Sequence, residues 1–84
     1  MKVTLEIPDQ DGLSMKFDWT DEYTIISKIE DGQFVLAANK AGLIALAKDL
    51  LILAQDVFKP GNDLHYDSYF PFEDNSAEML IVKI

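Results

Sequence analysis

The sequence predicts an α+β fold of two layers, with one antiparallel sheet of about six strands and one long helix packed on it. Several short segments alternate apolar and polar residues, which is the two-residue period of a strand with one wet face. A single stretch between them is rich in alanine and leucine and contains no proline. The predicted order is therefore ββββ-α-ββ, and residues 1–84 are expected to form one domain.

Four segments in the first half of the chain have the pattern of strands. Residues 2–7 and 13–20 both alternate, and the turn-forming residues between them predict a hairpin. Residues 23–30 and 33–37 flank an Asp-Gly pair at 31–32. Asp-Gly favours a type I′ turn, which needs positive φ at both central positions, so a second hairpin is predicted here.

The helix is predicted over residues 40–58. Asn39 is a suitable N-cap, and Pro60 followed by Gly61 is a typical stop signal. Helical spacing places Asp49 and Ile52 on the solvent side. The face expected to pack on the sheet consists of Leu43, Leu46, Ala47, Leu50, Ala54 and Val57.

Two strands are predicted after the helix. Residues 63–70 are rich in aromatic side chains, and residues 79–82 form an unbroken apolar run. In the first of these, Leu64 and Tyr66 should lie on one face and His65 on the other.

The charge of the chain limits its partners. Fifteen acidic residues outnumber seven lysines, there is no arginine, and the net charge is −8. Nucleic acids and anionic membranes need basic residues, so neither is expected as a partner. A negative field favours a basic protein, although it also serves solubility alone. The chain has no cysteine and no signal-like apolar run at the N-terminus, which predicts a cytoplasmic protein.

No constellation with an obvious chemical role stands out in the sequence. There is one histidine, His65, and the chain lacks a glycine-rich phosphate loop and a set of zinc or calcium ligands. We therefore expect a protein that is not an enzyme, with no cofactor and no metal. A small enzyme or ligand binder centred on His65 is the remaining chemical alternative.

Acidic residues in the predicted turns lie close in sequence to aromatic ones. Aromatic anchors within an acidic rim suit the recognition of a basic protein. The candidate partner-binding residues are Asp18, Asp21, Glu22, Tyr23, His65, Asp67, Tyr69, Glu73 and Asp74.

The second half of the chain also resembles a known family over about residues 39–82. The resemblance is carried by Asn39 to Leu43, Leu46-Ala47, Leu50 to Ala54, Pro60-Gly61, His65-Tyr66-Asp67 and Ser76 to Ile81. This pattern resembles immunity protein 32 of bacterial polymorphic toxin systems. That family often has a second histidine where Asp63 stands here. The resemblance implies that His65 and Asp67 matter and that the protein blocks a cognate toxin.

Two functions follow from these observations. The first is an immunity-type protein that binds a toxin, with a basic toxin domain as the partner. The alternative is a homo-oligomeric structural or adaptor domain, a homodimer in the simplest case. It is suggested by Ile52 on the wet face of the helix and by the edge strands that a small sheet leaves open.

Overall fold

The computed structural model describes residues 2, 4–7, 9–10, 17–19 and 22–84. Four strands and one helix follow one another in this part of the chain. They are β1 (Ile25–Glu30), β2 (Gln33–Ala38), α1 (Lys40–Leu53), β3 (Asp63–Tyr66) and β4 (Met79–Val82). The predicted α+β class, with one helix and antiparallel strands, is confirmed. No helix in the described ranges has the length and apolar character to span a membrane.

The strands form two separate two-stranded sheets, so the prediction of one sheet with about six strands was wrong. Strand β1 pairs with β2, and β3 pairs with β4, both antiparallel. Residues 4–7 and 17–19 belong to no strand, and the rest of the predicted strand over 13–20 lies outside the described residues. Alternation shows which side chains share a face, but it does not specify a hydrogen-bonded neighbour, and this is why the strand number was overestimated.

The predicted hairpin around Asp31 and Gly32 is confirmed. Both residues have positive φ, 51° and 75°, as a type I′ turn requires. The turn sets the register in which Glu30 faces Gln33 and Ile25 faces Ala38.

The segment 73–77 runs along the free edge of β1. The amides of Glu73 and Ala77 donate to the carbonyls of Ile25 and Ser27 at 2.9 and 3.0 Å. Ser27 is fully buried, and its hydroxyl donates to the carbonyl of Ala77. The segment before β4 is therefore hydrogen-bonded to the first sheet, while β4 itself belongs to the second.

Helix α1 begins where the sequence predicts. The Asn39 side chain accepts a hydrogen bond from the amide of Gly42 at 2.9 Å, which is an N-cap. The same side chain accepts from the amide of Thr24 and donates to the carbonyl of Glu22, both at 3.0 Å. Asn39 thereby holds the segment that carries Tyr23 against the start of the helix.

The helix ends at Leu53, before the predicted end at Phe58. The chain leaves the helix in turns that carry Phe58 into the core, where it is 4% exposed. The ammonium group of Lys83 donates to the carbonyls of Gln55 and Phe58 at 2.9 and 2.7 Å. Both carbonyls belong to the turns that follow the helix, so Lys83 attaches these turns to the residues just after β4.

The prediction of which helix face is buried was wrong. Ile52 and Asp49 are 1% and 2% exposed, whereas Leu43 and Leu50 are 53% and 42% exposed. Apolar residues lie on every side of α1, so its sequence period did not define one buried face. The core consists of Ile25, Ile52, Leu53, Phe58, Leu64, Tyr66 and Phe72.

Strand β3 is shorter than the predicted 63–70, although its faces are as expected. Leu64 and Tyr66 are buried and His65 is exposed. The chain turns at Asp67, whose carboxylate accepts from the amides of Tyr69 and Phe70 at 2.9 and 3.2 Å. This is an Asx-type turn, which competes with continuation of the strand.

Candidate functional site

A buried carboxylate on helix α1, that of Asp49, contacts strand β3 and the segment 17–19. Asp49 Oδ2 accepts a hydrogen bond from the hydroxyl of Tyr66 at 2.7 Å and from the indole Nε1 of Trp19 at 2.9 Å. Oδ1 of Asp49 is also buried, and no donor among the described residues reaches it. Most buried polar atoms have partners, so this carboxylate oxygen is an unusual feature.

The surroundings of Asp49 change its acidity. Burial raises the pKa of the Asp49 carboxyl, because an ion is less stable away from water, and the bonds from Tyr66 and Trp19 oppose this increase. Burial also raises the pKa of the Tyr66 hydroxyl well above its usual value, and the bond to Asp49 acts in the same direction. Tyr66 therefore keeps its proton and donates a hydrogen bond to Asp49.

A cavity of about 310 Å³ opens beside this carboxylate. Aromatic rings form much of its wall, and two carboxylates, those of Asp49 and Asp63, also lie on it. Among the residues that the structure describes, the charged side chains of this lining are acidic and none is a lysine. The lining residues are Phe17, Trp19, Asp49, Asp63, Leu64, His65, Tyr66, Phe70 and Pro71.

Three aromatic side chains form a cluster beside this cavity, and two of them, Trp19 and Phe70, line it. The ring centroids of Trp19 and Tyr23 lie 4.9 Å apart, and Phe70 lies 6.2 and 6.5 Å from them. All three contacts are edge-to-face, a favoured geometry for aromatic pairs. Below them Tyr66 stacks on Phe72 at 5.5 Å, which connects the cluster to the core.

The structure brings several of the sequence-predicted partner residues together around this cluster. A second cavity, of about 250 Å³, shares Phe70 with the first and is lined by Tyr23, Tyr69 and Glu73 as well. Tyr69 is 95% exposed, which leaves nearly its whole ring available to a partner. His65 lines the first cavity. The two cavities are thus adjacent, with Phe70 and Pro71 in the lining of both.

The remaining predicted residues are placed as follows. Asp18 lies beside Trp19 and forms an ion pair of 3.3 Å with Lys48. Glu22 is exposed next to Tyr23, and Asp74 is exposed in the turn after Glu73. Asp21 lies outside the described residues.

One group among the described residues offers three metal-ligating side chains. His65 Nε2 lies 3.4 Å from Glu78 Oε2 and 3.9 Å from Asp67 Oδ2, and one ligand atom from each residue lies within 4.8 Å of the others. One nitrogen and two carboxylate oxygens could ligate a divalent cation. The side chains of His65 and Glu78 are 53% and 75% exposed, so water competes strongly for any ion there. Sequence reasoning missed this group because Glu78 is distant in the chain and is brought close by the pairing of β3 with β4.

The comparison with known families supports the resemblance noted in the sequence. Residues 33–84 match the family model described as immunity protein 32, and this match covers more than half of the chain. The chain belongs to the immunity protein 32 family. No curated protein and no solved structure shows a significant match to it.

The matched region of this immunity protein 32 member contains β2, α1, β3 and β4. It therefore includes Asp49 and Tyr66, and the turn that carries Tyr69 and Phe70. Trp19, the second donor to Asp49, lies before the matched region. The family match thus spans most of the wall of the first cavity but not the whole of it.

Sequence reasoning missed the centre of this site. Helical spacing places Asp49 on the solvent side, and neither Asp49 nor Trp19 is among the candidate partner residues. One signal was present: Asp49 is the only acidic residue between Asn39 and Gln55. An isolated carboxylate in an otherwise apolar helix is either exposed or supplied with donors, and the sequence did not show which.

Proposed function

We propose that this protein is an immunity protein that binds and blocks a cognate bacterial toxin in the cytoplasm. Membership of the immunity protein 32 family is the observation that carries this proposal. The protein acts by occupying a surface of its partner, and it does so by binding rather than by catalysis.

We assign the binding to one surface, which we call the acidic-aromatic face. Trp19, Tyr23 and Phe70 form its centre, and the exposed ring of Tyr69 projects beside them. Interface residues that contribute most to affinity are commonly aromatic and central, surrounded by polar residues that exclude water. The acidic rim consists of Asp18, Glu22, Asp67, Glu73 and Asp74.

The charge of this face indicates the kind of toxin surface that it recognises. The protein carries a net charge of −8, and Glu73 lines the second cavity together with Tyr23 and Phe70. Complementary charge accelerates encounter and makes association sensitive to salt. The partner is therefore a toxin domain with a basic surface.

The experiment is co-purification with the toxin-like protein encoded beside this gene. We expect a 1:1 complex whose association slows as ionic strength rises. Tyr69→Ala should weaken binding by roughly tenfold or more, the loss of about 1.4 kcal/mol that an interface anchor provides. Phe34→Ala is the control: it also removes an exposed aromatic ring, here 48% exposed, but from the turn end of β2.

Two results would overturn the proposal. One is the absence of any complex with the neighbouring product, together with no protection of cells that express it. The other is a complex that Phe34→Ala weakens and Tyr69→Ala leaves intact, which would move the interface to another surface.

The homo-oligomeric alternative loses one of the two observations on which it was based. One of its two grounds was Ile52 facing solvent, and Ile52 is 1% exposed in the core. The other ground, the open strand edges of a small sheet, is not affected.

A further inference from the structure

We propose that the cavity beside Asp49 receives one cationic side chain, a lysine or an arginine, from the protein partner. That the protein contributing this side chain is a toxin depends on the function proposed above. The chemistry of the cavity itself does not.

The walls of the cavity suit a cation. Trp19, Tyr66 and Phe70 each contribute an aromatic side chain to its lining. Lysine and arginine are attracted to the faces of aromatic rings, and the attraction grows when water is excluded. At about 310 Å³ the cavity is at the lower end of the range of roughly 300–1,000 Å³ found for ligand pockets. It therefore matches a single side chain better than a large cofactor.

The charges on the lining select the sign of the ligand. Asp49 and Asp63 both line the cavity, and no lysine does so among the residues that the structure describes. An anion would be repelled by this arrangement. A neutral apolar group would remove water from the carboxylates and give nothing in return, which is unfavourable.

The buried Asp49 oxygen gives a second, independent indication. Asp49 is 2% exposed, lines the cavity, and has one oxygen with two donors and another with none. An unsatisfied buried acceptor is unfavourable, and a charged donor that approaches it is stabilised more strongly in a low-dielectric site than in water. A cationic side chain in the cavity supplies the positive charge and the hydrogen-bond donor that Oδ1 of Asp49 lacks.

Binding can be tested without the toxin, because Trp19 is the only tryptophan in the chain and lines the cavity. The probes are Nα-acetyl-arginine amide and Nα-acetyl-lysine amide, titrated at low ionic strength and followed by tryptophan fluorescence. Nα-acetyl-citrulline amide, which is nearly isosteric with the arginine probe and uncharged, is the ligand control. We expect saturable binding of a cationic probe with a Kd on the order of 1 mM, which is about −4 kcal/mol, and no saturation with citrulline.

The variants separate the carboxylate from the overall charge. Asp49→Asn should weaken binding of the cationic probe by at least about tenfold, because it removes the charge and keeps the shape. Glu30→Gln changes the net charge equally at an exposed pair with Lys28 and should leave binding unchanged. If Asp49→Asn fails to fold, Asp63→Asn replaces it and should weaken binding several-fold.

The inference fails if citrulline amide binds as tightly as the arginine probe, or if neither cationic probe binds. It also fails if Asp49→Asn and Glu30→Gln have the same effect. A toxin complex together with no probe binding would overturn this inference and leave the proposed function intact. Probe binding without any toxin complex would support this inference and overturn the proposed function.

Discussion

Removal of the Tyr66 hydroxyl tests whether Asp49 is held as a buried, hydrogen-bonded carboxylate. Tyr66→Phe keeps the ring that stacks on Phe72 and deletes only the donor at 2.7 Å from Asp49. A hydrogen bond to a charged group contributes about 1.5–3 kcal/mol to stability. We expect a loss of about 2 kcal/mol, which lowers the Tm of a domain of this size by roughly 8–16 °C.

The effect of Tyr66→Phe should depend on pH. The pKa of Asp49 is raised by burial above its unfolded value of 3.8, so the folded state binds this proton more tightly than the unfolded state does. Stability from this group is therefore lost as pH rises from 3.8 through the folded pKa. Removal of the Tyr66 donor raises the folded pKa further, so the variant should lose more stability than the wild type over the same interval.

The assay is urea denaturation of both proteins at pH 4 and pH 8, followed by circular dichroism. At pH 4 the difference should shrink towards the 0.5–1.5 kcal/mol or so of a neutral hydrogen bond. Tyr69→Phe, which removes the hydroxyl of a side chain that is 95% exposed, is the control and should stay within about 0.5 kcal/mol of the wild type. A Tyr66→Phe protein as stable as this control, or a larger difference at pH 4 than at pH 8, would refute the reasoning.

Three further predictions test the packing around the site. Ile52→Glu should unfold the protein or cost more than about 3 kcal/mol, while Leu51→Glu, at a position 46% exposed, should be tolerated; equal stabilities in urea would contradict the observed helix face. Gly42→Ala should destabilise by about 1 kcal/mol despite the better helix propensity of alanine, because its Cβ would lie 2.8 Å from the carbonyl of Thr24; a more stable variant in the same assay would show that the contact relaxes. Lys83→Met should lower the thermal midpoint by removing an ammonium group with two carbonyl acceptors, at a cost of about 1–3 kcal/mol, and an unchanged midpoint would mean that water replaces it.

The features that could be predicted from the sequence are those determined locally. The positive φ of Asp31 and Gly32 follows from residue type, and so does the capping of α1 by Asn39. The α+β class follows from the change of period at Asn39. These features depend on a few neighbouring residues and need no knowledge of distant contacts.

The features that could not be predicted are determined by distant contacts. The helix ends at Leu53 while Lys83 binds the carbonyls beyond it, and the pairing of strands depends on which edges meet. The same holds for the site. His65 and Tyr69 were identified from composition and do line the two cavities, whereas Asp49 became recognisable only when Trp19 and Tyr66 were seen to donate to it.

The attachment of segment 73–77 to β1 has a consequence for aggregation. An uncovered strand edge is a template for pairing with another chain. In this protein the carbonyls of Ile25 and Ser27 accept hydrogen bonds from two amides of segment 73–77, which is not itself a β-strand. Local opening of that segment would release these carbonyls while the rest of the hairpin stays folded. The hydrogen bonds from the amides of Glu73 and Ala77 therefore protect the edge of β1 from pairing with another chain. The hydrogen-exchange rates of these two amides measure how often that edge is exposed.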